Sequence, residues 1–277
     1  MISPAETDFI RENAYLPEQF PDYAAVVSGG EPFLAGEFVF YLSPGRLIFV
    51  GFPLRGRYEE KNMARTLEAA VRKERPGRVT LIAPTIPPRL GEGGSQDTYY
   101  RLDLKGFQVP GKVQNMIRRA SRELQVAKGR ALTAEHLGLI SDFSATRALE
   151  EGTRTILARI PEYLSASPGA WVFSARTGGG ELAGFDIAEF GPSRYAFYLF
   201  NFRSRRAAVP GTSDLLLAEI IRMAKEGEKE AVNLGLRISP GVAFFKEKWG
   251  GRPFLEHRSA TYRPGGPSIL EGLLAKL

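Results

Sequence analysis

Cysteine is missing from this chain of 277 residues, and only two histidines occur, His136 and His257. Without cysteine there is no disulfide, no thiolate nucleophile and no cysteine-held metal. Two histidines cannot build a three-histidine zinc site, and no carboxylates stand at a spacing that would complete a mixed one, so no metal is expected. Apolar runs long enough to span a bilayer are lacking, so no transmembrane segment is expected. The opening residues, MISPAETDFIRENAYLPEQF, lack a basic patch followed by an apolar core. That argues against a secretory signal and for residence in the cytoplasm. Low-complexity tracts are absent, as are the GxGxxG and GxxxxGK[ST] spacings on which common nucleotide folds are built.

What is present describes a globular chain. A hydrophobic content of 43% with 25% charged residues is ordinary for a folded, soluble protein. The length suits one large domain or two of common size. Lys and Arg number 37 against 31 Asp and Glu, a net charge of +6, and the excess lies in short arginine clusters. Clustered cations favour anionic partners more than a scattered excess does.

Periodicity and turn residues predict an α+β order. Helices are predicted over Pro4–Asn13 and Glu18–Val27, then a hairpin of Glu37–Leu42 and Arg46–Phe52 around Ser43-Pro44-Gly45. Tyr58–Lys73 has helical spacing and stops at Pro76-Gly77; Arg78–Ala83 is a strand, 84–97 a loop rich in proline and glycine, and Thr98–Leu104 another strand. Lys112–Lys128 is predicted to be one basic amphipathic helix. Val113, Met116, Ile117, Ala120, Leu124 and Ala127 form its apolar stripe, with Arg118, Arg119 and Arg122 largely off it. Helices then follow at 133–140 and 144–164, a strand at 171–175, a hairpin of 182–190 with 195–202, a helix at 213–226, a strand at 231–236, a short helix at 241–249 and a last strand at 254–262. The order of elements in 1–105 is repeated in 130–262, which implies two units: 1–110, a basic linking helix 111–130, and 131–277.

The stretch Tyr195–Gly251 is the richest in chemistry. Arg203, Arg205 and Arg206 follow a strand, and Pro210-Gly211-Thr212-Ser213-Asp214 opens a helix. A helix start offers N–H groups without intrahelical partners and the positive end of the dipole, which suits a phosphate. Gly211 would admit a ligand close to the backbone, with Thr212 or Ser213 as cap. An ordinary capped turn with solvent-facing arginines carries the same residue types. Lys246 is either a further partner for phosphate or carboxylate or a solvated surface charge; Phe244 and Phe245 are expected in the core, and Trp249 in the core or a pocket wall. Acid/base candidates are Asp186 and Glu189, which alternate to opposite faces of a strand, with Tyr198, Tyr262 and His257.

The run VNLGLRISPGVAFFKEKWGG, ending in Phe245–Gly251, and the stretch Asn115-x-x-Arg118-x-Ala120-x-Arg122 resemble the Fem-like branch of the GNAT superfamily. That branch includes peptidoglycan peptidyltransferases and the catalytic domain of lysylphosphatidylglycerol synthases. The resemblance implies two tandem GNAT-like units, each a mostly antiparallel twisted sheet flanked by helices. It also implies transfer of an acyl or aminoacyl group, from acyl-CoA as cofactor or from aminoacyl-tRNA, to an amine or hydroxyl. Donor phosphates would fall at Arg203, Arg205, Arg206, Gly211, Thr212 and Ser213, near Lys246. Arg118, Arg119 and Arg122 would face a larger anionic partner, tRNA or anionic lipid. Enzymes of the superfamily that use acetyl-CoA carry [QR]-x-x-G-x-[GA] at the turn. Arg206-Ala-Ala-Val-Pro-Gly211 keeps the arginine and one glycine without the spacing, which leaves other carriers open. The first half has only Arg55-Gly56-Arg57 at the corresponding place, so the C-terminal unit is the expected donor site. The alternative is a non-catalytic protein of this fold that binds RNA or anionic lipid through its basic face.

Overall fold

In a computed structural model that describes residues 1–90 and 94–265, the chain divides into two units. Residues 91–93 of the expected 84–97 loop and the end of the expected second unit, 266–277, lie outside the described residues.

The first unit takes Met1–Tyr99, Leu236–Ile238 and the chain from Pro253. Helix α1 (Pro4–Asn13) starts on a capping box: Ser3 Oγ accepts from the Glu6 N–H at 3.3 Å, and the Ser3 N–H donates to Glu6 Oε2 at 2.7 Å. Helix α2 (Pro21–Ser28) follows, then the antiparallel strands β1 (Glu31–Ala35), β2 (Phe38–Ser43) and β3 (Arg46–Val50). Helix α3 (Glu60–Glu74) buries Met63, Ala64, Leu67 and Ala70, the stripe its helical spacing sets out, and crosses over to β4 (Arg78–Ala83). Alternate positions of β4 are buried, and Phe38, Phe40, Leu47 and Phe49 complete this core. The chain's last strand, Arg252–Tyr262, pairs antiparallel with β4, and the first four residues of β5 (Gln96–Asp103) border it.

The second unit takes Tyr100–Gly235 and Ser239–Arg252. Its elements are the rest of β5, α4 (Gly111–Ala120), β6 (Leu124–Gly129), α5 (Ala134–Ala145), α6 (Glu151–Ala158), α7 (Ile160–Ala166), β7 (Ala170–Thr177), β8 (Leu182–Glu189), β9 (Tyr195–Arg203), α8 (Thr212–Glu226), β10 (Ala231–Leu236) and α9 (Pro240–Lys248). The sheet order is β5-β10-β9-β8-β7-β6. Strand β8 is buried at every position, with β7 and β9 antiparallel on either side and α8 and α5 packed on it. Trp249, Phe173, Leu216, Leu217 and Ile220 are fully buried in this core.

Several expectations are corrected. The 112–128 helix ends at Ala120, and Leu124 and Ala127, read as part of its stripe, lie in a strand. Six residues of β6 pair with β7, from Leu124↔Thr177 to Gly129↔Val172, and that ladder outweighs the local helical spacing. The segment 111–130 is therefore no separate linker but part of the second unit, whose border falls between Tyr99 and Tyr100. The last strand, expected in the second unit, belongs to the first apart from Arg252. Phe244 is not a core residue but 68% exposed, whereas Phe245 packs on the core and Trp249 is fully buried. Strand β1 had no sequence forecast, and the helix expected at 144–164 is broken into α6 and α7 at Arg159-Ile160-Pro161.

Candidate active site

Strands β9 and β10 run parallel but pair over only three residues, Ala231↔Tyr195, Val232↔Ala196 and Asn233↔Phe197, although both continue beyond. Two local features part them. Opposite β8 the register slips between Ile187↔Phe200 and Ala188↔Tyr198, so Leu199 bulges out of the ladder. On β10, Gly235 turns to φ +76° and its N–H is taken by Asn233 Oδ1 at 2.7 Å rather than by a neighbouring strand. The gap that opens is bordered by the Tyr198 carbonyl and Gly235.

Lys246 fills that position from α9. It is buried, and a Cβ placed on Gly235 would stand 3.8 Å from its Nζ and 3.6 Å from the Tyr198 carbonyl oxygen. The Nζ also lies 5.8 Å from the centre of the Tyr100 ring. The run Phe245–Gly251 holds it there residue by residue. Ser239 Oγ accepts from the Val242 N–H and starts α9. Glu247 accepts from the Tyr100 hydroxyl at 2.8 Å; Lys248 Nζ pairs with Asp214 at 2.7 Å, and the Trp249 indole N–H donates to Asp214 at 2.9 Å. Gly250 adopts φ +85°. A Cβ on Gly251 would come within 2.6 Å of Leu234 and 2.8 Å of the Lys246 carbonyl, so only glycine lets the chain fold back here.

Asp186 sits on β8 opposite Asn201 of β9, at the parted end of the strands. Asn201 Nδ2 donates to its Oδ1 at 2.5 Å and also bonds Ser213 Oγ at 3.2 Å, and the Tyr198 hydroxyl bears on the same carboxyl. Burial pushes the Asp186 carboxyl up to about 8, against the lowering influence of Asn201 and Tyr198. Tyr198, beside the bulge, has its hydroxyl raised well above the ordinary phenol value by burial and by the Asp186 charge. Asp186 is thus a buried carboxyl with a value near neutral pH, held by Asn201 and beside the Tyr198 hydroxyl.

Glu189 lies at the opposite, paired end, facing Phe197 across the ladder. It is fully buried and accepts from the Tyr163 and Ser167 hydroxyls at 2.7 and 2.6 Å and from the N–H groups of Phe190 and Gly191 at 3.0 and 2.8 Å. With every lone-pair direction in use it is an anchor for the β8–β9 turn and not an acid/base group. His257 and Tyr262 fall in the first unit.

The loop before α8 differs from the cradle foreseen. Ser204 Oγ accepts from the N–H groups of Arg206 and Ala207, and the Thr212 N–H goes to Val209. Thr212 Oγ1 donates to the Val209 carbonyl and Ser213 bonds Asn201, so neither caps the helix; the N-cap is Gly211. Gly211 holds φ +86°, and a Cβ there would meet the Met116 carbonyl at 2.8 Å and Ala120 at 3.3 Å. Its glycine admits helix α4, not a ligand. Asp214 in the first turn of α8 already meets the positive helix end. The side chains of Arg203, Arg205 and Arg206 are exposed, as are Arg118 and Arg119 of α4, the helix that packs against Gly211, and Arg122 just beyond it.

His136, read only as helical, accepts the Thr133 N–H at Nδ1, which leaves Nε2 as the donor to Ser174 Oγ at 2.8 Å. A serine that receives a proton bond from imidazole is not activated as a nucleophile. An open cleft of about 720 Å³ in the second unit is lined by Asp103, Lys105, Lys225, Lys229, Glu230 and Arg252 among others. It lies at the paired end of β9 and β10, and its Arg252 is bonded to Asp103. Among the described residues no group of histidines and carboxylates is placed to hold a metal ion, and no helix is long and apolar enough to cross a membrane.

Sequence reasoning missed Asn201, Asn233, Asp214 and the Leu199 bulge. Asn233 standing two residues before Gly235 was the one local hint, since a short amide side chain bonds its own backbone two residues on. Asp214 finds Lys248 and Trp249 more than thirty residues away, which no local pattern reports.

The chain shares the tandem GNAT-like fold of several solved structures, all at low sequence identity. L-PGS from Bacillus licheniformis superposes with a TM-score of 0.58 at 16% identity, over 99% of this chain and 96% of that one. FemX gives 0.58 at 12% identity over 93% and 96%. A tandem GNAT protein from the clavulanic acid biosynthesis pathway gives 0.51 at 16% over 83% and 79%. No family model matches the chain, and no curated protein matches it in sequence.

Proposed function

We propose that the second unit transfers an acyl or aminoacyl group to an amine or hydroxyl acceptor. The observation that carries this is the buried Lys246 ammonium at the point where β9 and β10 part. A carbonyl seated in that gap would develop negative charge on its oxygen during attack, and a fixed, water-shielded cation there stabilises that charge. Asp186 serves proton transfer from the parted end of β8, with Asn201, itself bonded to Ser213, holding its Oδ1 in place. Tyr198 lies between them, its carbonyl toward the gap and its hydroxyl under the influence of Asp186.

For the donor, the loop favours a polyanionic carrier held by side chains. Its amides at 206, 207 and 212 are bonded internally, while Arg203, Arg205 and Arg206 around the loop and Arg118, Arg119 and Arg122 in and after α4 are exposed. That pattern fits aminoacyl-tRNA better than a pyrophosphate cradled by backbone N–H groups, because phosphates along a nucleic acid are met by Lys and Arg. Acyl-CoA is the other donor to test. Purified protein titrated with charged tRNA, uncharged tRNA and acetyl- and longer acyl-CoAs at two salt concentrations is expected to prefer charged tRNA. Reversing charge at Arg118, Arg119 and Arg122 should weaken that binding and flatten its salt dependence. Lys246→Met should keep donor binding and lower transfer at least about a hundredfold, as loss of one oxyanion donor does. Salt-dependent binding of RNA or anionic vesicles with no transfer under any donor would leave a binding protein of this fold instead.

A further inference from the structure

Three neighbouring strands of the first unit carry, in or just beyond them, an arginine at the same end of the sheet. Arg46 of β3 and Arg78 of β4 are register partners, so their side chains leave one face of the sheet about 4.8 Å apart. The turns that precede them touch, the Arg78 N–H donating to the Gly45 carbonyl at 3.0 Å. On the far side of β4, the last strand pairs Tyr262 with Val79, and the next residue, Arg263, stands at the level of Arg78. All three arginines are exposed. They make a row roughly 10 Å long across the strand ends, two strand spacings.

No acid among the described residues balances this row. None of the three takes part in an ion pair or a side-chain hydrogen bond there. Glu74 meets Lys73 at 3.4 Å, and Glu68 bears on the Tyr262 hydroxyl, whose ring packs on the core under α3. Like charges side by side on a sheet repel and destabilise it. Arg75, three residues before Arg78, is exposed as well and holds φ +48° at the end of α3, where glycine would sit without strain. The fold thus tolerates both repulsion and a left-handed residue to keep cations at this end.

The surroundings select the partner. Small-molecule sites are concave, whereas these side chains stand out into solvent. A membrane surface is entered by apolar side chains beside the cations, and among the described residues β2, β3, β4 and the last strand expose no large one. The neighbours are hydroxyls: Ser43 is the partner of Arg46, and Thr80 and Thr261 lie 2.9 Å apart. Guanidinium forks and hydroxyls both bond phosphate oxygens, and such contacts read no base. We propose that Arg46, Arg78 and Arg263 form a contact strip for the phosphodiester backbone of a nucleic acid, held without regard to base. The strip lies in the first unit and does not rest on the transfer reading of the second.

Fluorescence anisotropy of the full chain with a labelled oligouridylate that carries no aminoacyl group, between about 50 and 200 mM salt, tests it. The variant Arg46→Gln/Arg78→Gln/Arg263→Gln should bind at least about tenfold more weakly at the lower salt. Its slope of log affinity against log salt should shrink by about two, since each phosphate contact on a single strand contributes about 0.7. Relief of repulsion should leave this variant at least as stable in urea as the parent at low salt, so a folding defect does not decide the result. Absence of oligouridylate binding in the parent, or an unchanged slope in the variant, would overturn the strip and leave the donor reading standing. So would binding of anionic vesicles or tripolyphosphate that the variant loses while it keeps oligouridylate, which would assign the row to a membrane or to a small oligophosphate.

Discussion

Strands β3 and β4 of the first unit and β9 and β10 of the second are both parallel pairs joined by one helix, yet one pair is closed and the other opens. The first runs in register over five residues, from Arg46↔Arg78 to Val50↔Ile82, and the Gly51 N–H extends it to the Ile82 carbonyl at 2.7 Å. A Cβ on Gly51 would press within 2.8 Å of Ala83 and 3.1 Å of Met63, so glycine there serves closure. The second pair stops after three residues because Asn233 takes the Gly235 N–H and Leu199 leaves the ladder. The same supersecondary plan therefore yields a packed core in one unit and a gap with a buried lysine in the other. A glycine closes one pair and another glycine opens the second.

Lys246→Met is the sharpest way to break this comparison: transfer should fall at least about a hundredfold while circular dichroism is unchanged. Retained transfer would remove the gap's claim to be the reacting centre. Next, Glu189→Ala should cost about 3 kcal/mol in urea unfolding, because four donors lose a buried acceptor together. Per folded molecule its transfer rate should match the parent, which separates the anchor at the paired end from Asp186 at the parted end.

The two glycines give a smaller, paired effect. Gly51→Ala should destabilise by about 1–3 kcal/mol through overpacking. Gly235→Ala should cost about 1 kcal/mol for its positive φ, having no contact nearer than 3.6 Å. Its larger consequence should appear in transfer, since the new methyl points at Lys246 Nζ. Equal stability losses with no change in transfer would erase the distinction between the pairs.

The last effect is a slope. The Asp186 carboxyl titrates higher in the folded chain, at about 8, than the ordinary carboxylate value near 4 in the unfolded chain. Between those values the folded state holds a proton the unfolded state has released, so this group makes stability fall as pH rises from about 4 to 8. The contribution is at most about 1.4 kcal/mol per pH unit. Asp186→Asn should flatten the curve by that amount over that window, and an identical pH dependence in parent and variant would contradict the raised value.

Much of the fold was legible locally. The helix over Pro4–Asn13, the strand Arg78–Ala83, the α3 stripe and the Ser43-Pro44-Gly45 turn each act through neighbours a few residues apart. Strand β6 was not, because its residues are compatible with a helix until β7 supplies a ladder. The site was legible only as a region. Lys246 stood out as a charge in the motif, but its burial depends on Trp249, Lys248 and Glu247 gripping Asp214 and Tyr100. Asp186 and Glu189 are chemically alike and three residues apart; the β8–β9 register and the loop at Ser167 decide which is a sealed anchor.

Sequence by itself determined the α+β order, the absence of thiol chemistry and the clustering of arginines. These follow from periodicity and composition, which are short-range or additive properties. Tertiary structure alone decided that β9 and β10 part, that Lys246 is desolvated where they do, that the loop's amides are spent on Ser204, and that Gly211 faces a helix. Each of those rests on atoms brought together from distant positions, and desolvation and close packing have no value until the chain has folded.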